Sequence, residues 1–102
     1  MPSNNYRHGS VWNDELELRC FLIFKQAEAV NFKYGVASEL CRKLAKSKNL
    51  KEGTLKAKVG NYKSLAGYTK PTNASTATKT LYERYKSYTV QQIEEVLKGM
   101  GR

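Results

Sequence analysis

Histidine is all but missing from this sequence: His8 is the single one among 102 residues, and it stands near the amino terminus. That scarcity removes Ser-His-Asp and Cys-His centres and the paired imidazoles of an H-N-H metal site, each of which needs histidine held by folded neighbours. Cysteine is almost as scarce. Cys20 and Cys41, with one histidine, do not complete a four-ligand zinc site, and both fall on apolar helix faces where a thiol behaves as a small hydrophobe. Long hydrophobic runs are absent too. The longest, from Cys20 to Phe24, is far below the ~20 residues needed to cross a bilayer, so no membrane is expected as a partner. The opening MPSNNYRHGSVWNDE is polar where a secretory signal would be apolar, and the expected compartment is cytoplasmic. Gly53 and Gly60 belong to neither a P-loop nor a dinucleotide fingerprint. Asp14, Glu15 and Glu17 are expected at a helix start, where carboxylates complement the positive helix end, rather than in a nuclease centre. No catalytic residue, metal or cofactor is therefore expected.

What remains is an ordinary globular composition carrying an unusual charge. Hydrophobic residues make up 40% and charged residues 26%, enough apolar material for one core in a chain of this length without metal or disulfide support. Acidic residues are few: 9 Asp and Glu stand against 18 Lys and Arg, giving a formal charge of +9. Such an excess attracts polyanions whatever the fold, and its distribution is uneven. Residues 1–30 carry Arg7, Arg19 and Lys25 against Asp14, Glu15, Glu17 and Glu28. Residues 42–63 carry Arg42, Lys43, Lys46, Lys48, Lys51, Lys56, Lys58 and Lys63 against Glu52 alone.

Periodicity predicts an all-α protein, a compact bundle of about five helices with a helix-turn-helix-like or Myb-like core. Residues 1–11 read as a flexible arm, 12–98 as a single helical domain and 99–102 as a tail. Asn13 is placed to cap the first helix. Leu16, Cys20, Ile23 and Ala27 form its stripe, and Leu18, Phe21, Leu22 and Phe24 widen it, so this helix is expected at the centre of the domain or in a protein interface. Trp12 reads as a lid on the core. A second helix is expected over about 36–46, with Ala37, Leu40, Cys41 and Leu44 inward. Ser47–Gly53 reads as a connection ending before a cap at Thr54.

The third helix, Thr54 to Ala66, turns Leu55, Val59, Tyr62 and Ala66 toward the core at 100° per residue. Its opposite side centres on Ala57, Gly60 and Ser64 with Asn61 beside them; Lys56 and Lys63 lie on one flank and Lys58 on the other. A small-residue centre admits close approach of the backbone to a surface, as in the major groove; a tight helix-helix crossing at Gly60 would use the same small face. Gly67–Thr80 reads as a polar loop in which Lys70 and Asn73 can touch a nucleic-acid backbone. A fourth helix from about Thr76 turns Ala77, Leu81, Tyr85 and Tyr88 inward. Thr89-Val90-Gln91-Gln92 is a capping-box pattern, and the last helix, with Val90, Ile93, Val96 and Leu97 apolar, is expected to cover the first and to end before Gly99.

WNDELELRCFLIFK from Trp12 to Lys25, then SELCRKL and TLKAKVGNYKSL, resembles the helical module beside the HNH nuclease domain of bacterial and phage restriction-type or homing-type endonucleases. The likeness falls on Trp12, Asp14, Glu15 and Leu16, on Thr54, Leu55, Lys58, Asn61 and Tyr62, and on Leu81, Tyr82 and Tyr85. It implies a part in placing a nuclease on DNA without the nuclease chemistry. The opening is also similar to Myb-like helical domains, without their regular tryptophan spacing. The leading expectation is a duplex-DNA-binding protein, acting as a regulator or a targeting module. Asn61 would offer adenine its donor and acceptor, Ser64 a less selective contact, and Arg42, Lys43, Lys46, Lys56, Lys58, Lys63 and Lys70 the phosphate contacts. Two alternatives stand beside it, a protein-interaction module that inhibits or recruits a nucleic-acid enzyme and a binder of structured RNA. A protein partner or a second copy meeting Phe21 and Leu22 would use the wide apolar face, and pairing of two copies would be compatible with duplex binding at two half-sites.

Overall fold

In the computed structural model, which describes residue 6 and residues 9–100, five helices follow in the order α1 (Asp14–Ala29), α2 (Val36–Lys48), α3 (Glu52–Leu65), α4 (Thr76–Tyr85) and α5 (Val90–Met100). The described residues contain no strand. Most of the flexible arm expected over residues 1–11, including Arg7 and His8, lies outside the described residues.

α1 is the axis of the fold because it is apolar on more than one side. Asn13 starts it, its Oδ1 accepting the Leu16 amide at 2.8 Å, and Asp14, Glu15 and Glu17 occupy the first turn. Leu16, Leu18, Cys20, Phe21, Ile23, Phe24 and Ala27 are all buried, and the other four helices pack around them. Each large apolar side chain removed from water here contributes about 1.5–3 kcal/mol. Phe21 is enclosed completely, with Tyr62 at 5.0 Å and Tyr82 at 6.1 Å between ring centroids. It therefore has no surface to give to a second copy, and Leu22 is itself half-buried against the core. The width of the apolar face is used up inside the chain.

α2 runs two residues beyond its expected end and stops at Asn49, whose left-handed φ of 56° brings its amide back to the carbonyls of Ala45 and Lys46. Lys48 thereby reaches Glu15 of α1 at 3.2 Å. α3 begins at Glu52 rather than after Thr54. Gly53 falls in the first turn, where a missing side chain costs little, and the Glu52 carboxylate suits the positive helix end. Only residues 49–51 separate α2 from α3.

α5 is fastened by the predicted capping box. Thr89 Oγ1 accepts the Gln92 amide at 3.1 Å while Gln92 Oε1 accepts the Thr89 amide at 2.8 Å. Ile93 and Leu97 are buried, and α5 packs on α1. The helix passes through Gly99 to Met100, two residues that the sequence assigns to a tail, because Met100 packs against the core.

Gly60 decides between the two readings of the small face on α3. A β-carbon at Gly60 would meet no atom within 4 Å beyond its own helix, so no helix of the described residues crosses there. Gly60→Ala is expected to stabilise the fold by about 0.5–1 kcal/mol, the helix-interior cost of glycine, read as a higher midpoint in urea. A loss of stability would mean that the face is covered.

Candidate nucleic-acid interface

α3 is held in place by a polar cluster inside the core. Glu17 of α1 is fully buried; its carboxylate accepts hydrogen bonds from Lys58 Nζ at 3.0 Å, from Thr78 Oγ1 of α4 at 3.0 Å and from the Tyr62 hydroxyl. Lys58 Nζ also donates to Thr78 Oγ1 at 2.8 Å and lies 4.3 Å from the centre of the Trp12 ring. Three helices thus meet on one ion pair, and Trp12 closes it. Burial, and then the charge of Glu17 and the bond to it, raise the Tyr62 phenol far above its ordinary value, so it remains a neutral donor.

This cluster corrects the reading of Lys58 as a phosphate contact, and it gives Glu17, which does stand in the first turn of α1, a buried partner in addition. Lys58 keeps 8% of its surface, and its ammonium group points inward. It follows Leu55 by three residues and precedes Tyr62 by four, which puts it on the core side of α3. Glu17 precedes Phe21 by four residues and Phe24 by seven, which puts it on the same buried face of α1. That pair of spacings is the signal the sequence held. Thr78 is a further inward residue that the sequence reading left out, with Ala77 half-buried instead.

With its inner side pinned, α3 turns the small residues outward. Ala57 is exposed, Gly60 and Ser64 are half-exposed, and no other helix of the described residues covers them. The loop after α3 forms one border: Ser64 Oγ donates to the Lys70 carbonyl at 2.8 Å, and Thr72 Oγ1 donates to Asn61 Oδ1 at 2.9 Å. Asn61 keeps its amide hydrogens and a second lone pair for another partner. α2 packs against α3. Lys43 and Lys46 are exposed and without an ion pair among the described residues, as is Lys70 at the loop. Arg42 is paired with Glu39, and Lys56 with Glu52 at 2.7 Å. Both pairs are solvent-exposed, the class worth about 0–1 kcal/mol, so a phosphate can take either cation. Lys63 lies 4.5 Å from the centre of the Phe32 ring. The arrangement is an open face of small residues with Lys56 and Lys63 on one flank and Lys70 at the loop, Lys58 being removed from the set.

No family model, curated protein or solved structure matches the chain. The geometry of the face therefore carries the functional argument. It holds little chemistry of its own: no group of three or more His, Cys, Asp or Glu side chains among the described residues could hold a metal ion. No helix among those residues is long and apolar enough to cross a membrane.

Both cysteines are buried and free. Burial, followed by the nearby Cys41 and Glu17, pushes the Cys20 thiol from 9.0 up to about 12. Burial likewise pushes Cys41 from 9.0 up to about 11. Neutral thiols do not attack, so a thiol reagent at neutral pH is expected to label neither cysteine in the folded protein and both in denaturant. The linkage has a definite sign. Folded-state values above the unfolded 9.0 mean that the contribution is complete below pH 9 and is lost as pH rises toward 11 and 12. Urea midpoints should therefore fall steeply above pH 9; a flat profile from pH 8 to 11 would contradict the burial of both thiols.

Proposed function

We propose that this chain is a non-catalytic duplex-DNA-binding module that lowers the outer face of α3 into the major groove. The observation that carries the reading is the uncovered face at Ala57, Gly60 and Ser64, together with the exposed or half-exposed cations Arg42, Lys43 and Lys46 of α2, Lys56 and Lys63 of α3 and Lys70 of the following loop. Small side chains let the helix backbone approach base edges, and the cations reach past them to phosphates. Asn61 and Ser64 are the residues placed to read bases. Asn61 offers an adenine edge its amide hydrogens and its remaining lone pair. The likeness to helical modules beside HNH nucleases supports a regulatory or targeting role, in which the chain supplies position on DNA and another protein or domain supplies chemistry. A cytoplasmic setting suits its two reduced, buried thiols.

Selection from a pool of random duplexes tests the reading of bases. Wild-type protein is expected to enrich a short motif containing adenine, and Asn61→Ala to relax the preference at one position by about 1–3 kcal/mol while leaving affinity for other sequences nearly unchanged. A pool with no enrichment would reduce the interaction to phosphate contacts alone. Loss of affinity for every sequence on Asn61→Ala would assign that residue to loop structure, through Thr72, instead of to readout.

A further inference from the structure

A second feature lies at the other end of the basic surface, in the turn between α1 and α2. Tyr34 is wholly exposed, with a relative accessibility of 101%, and its hydroxyl has no partner among the described residues. The turn that carries it is held in an unusual backbone conformation. Asn31 and Phe32 are both left-handed, with φ of 54° and 56°; such a conformation in a residue as bulky as phenylalanine persists only when its surroundings fix it. They do so here. The Phe32 amide donates to the Ala27 carbonyl at 2.8 Å, and the Phe32 ring is packed edge-on against Tyr68 at 4.7 Å and under the Lys63 ammonium.

The fixed turn frames a groove of about 240 Å³ with Ala27, Phe32 and Val59 in its walls, Lys33 and Lys63 along it and Tyr34 at the rim. No carboxylate lines it. Glu28 and Glu39, the acidic residues nearest in sequence, are both engaged, Glu28 by Lys25 at 3.5 Å and by the Tyr68 hydroxyl at 2.8 Å, and Glu39 by Arg42. The volume is below the range of drug-sized ligand pockets, about 300–1,000 Å³, and suits a single small ring system. An occupant must combine a flat apolar face, to lie against Tyr34 and the groove wall, with negative charge for the two lysines. A nucleotide has both. Within a paired duplex its face is covered by neighbouring bases, so the site can take only one that has left the stack.

We infer that the Tyr34 groove binds one unpaired nucleotide of DNA, its base stacked on Tyr34 and its phosphate between Lys33 and Lys63. The inference rests on the duplex-binding reading above and deepens it: Lys63 belongs to both surfaces, so the preferred ligand is duplex DNA carrying an extruded or overhanging nucleotide.

Fluorescence anisotropy with two labelled duplexes of equal length tests this, one flush and fully paired, the other carrying a single unpaired thymine. Stacking on an aromatic side chain is worth about 1–3 kcal/mol per base, so wild type is expected to bind the second duplex roughly 5- to 150-fold more tightly. Tyr34→Ala should abolish that preference and leave flush-duplex affinity unchanged, while Tyr34→Phe should retain it. Because Tyr34 touches no core residue through its ring, both variants are expected to fold, as circular dichroism would verify. Equal affinity of wild type for the two duplexes, or a preference that survives Tyr34→Ala, would overturn the inference. Failure of the duplex-binding reading looks different: flush duplex would then not bind at all, or would bind without any dependence on Lys43, Lys46 and Lys56.

Discussion

Glu17→Ala is expected to be the most damaging single substitution in the chain, lowering unfolding free energy by about 3–5 kcal/mol. The carboxylate is the common acceptor for Lys58, Tyr62 and Thr78. Its removal leaves an ammonium group and a phenol inside the core without their main acceptor. A domain of this size has about 5–15 kcal/mol in total, so the variant should sit near the edge of folding. The opposing substitution distinguishes a lost attraction from a stranded charge. Glu17→Leu combined with Lys58→Met takes both charges away and should recover much of the loss, because breaking a buried pair costs more than replacing it with apolar groups. Urea unfolding of the two singles and the double provides the cycle. If the double were as unstable as the sum of the singles, the ion pair would not be the link between α1 and α3.

The second large effect concerns affinity. Replacing Lys43, Lys46 and Lys56 together by alanine should weaken binding to any duplex by about 10³-fold at 50 mM salt, since each phosphate contact adds about 0.9 to the salt slope. Stability should change little, because all three side chains are exposed and only Lys56 is paired, with Glu52 at 2.7 Å. Lys58→Met gives the contrasting pattern. Its ammonium group is buried, so the loss should appear in the unfolding curve before it appears in the binding curve. A triple variant that binds as tightly as wild type would remove α2 and α3 from the interface.

Much of the fold is written locally, and those parts were legible. Asn13 and the Thr89–Gln92 pair are caps formed by residues three apart, so their chemistry can be recognised without knowing the rest of the chain. The central position of α1 follows from an apolar face too wide for one neighbour. What escaped the sequence reading depends on partners far away along the chain. Lys58 lies 41 residues from Glu17, and Thr78 lies 61 from it. A charged residue is read as surface until its counter-charge is located. The same holds for the early start of α3, where Gly53 resembles connector sequence, and for the last two residues of α5, where Met100 packs against the core. The uncovered face of α3 was legible for the opposite reason: its residues depend on nothing but helical spacing and the absence of a covering element. The left-handed conformation of Asn31 and Phe32 within the turn that displays Tyr34 was not, since no glycine marks either position.

The most direct test of the account is the salt dependence of wild-type binding to a random-sequence duplex, followed by anisotropy from 50 to 300 mM salt. Six phosphate contacts, from Arg42, Lys43, Lys46, Lys56, Lys63 and Lys70, predict a straight line of log K against log salt with a slope of about −5. A slope near zero, or no binding at the lowest salt, would contradict it.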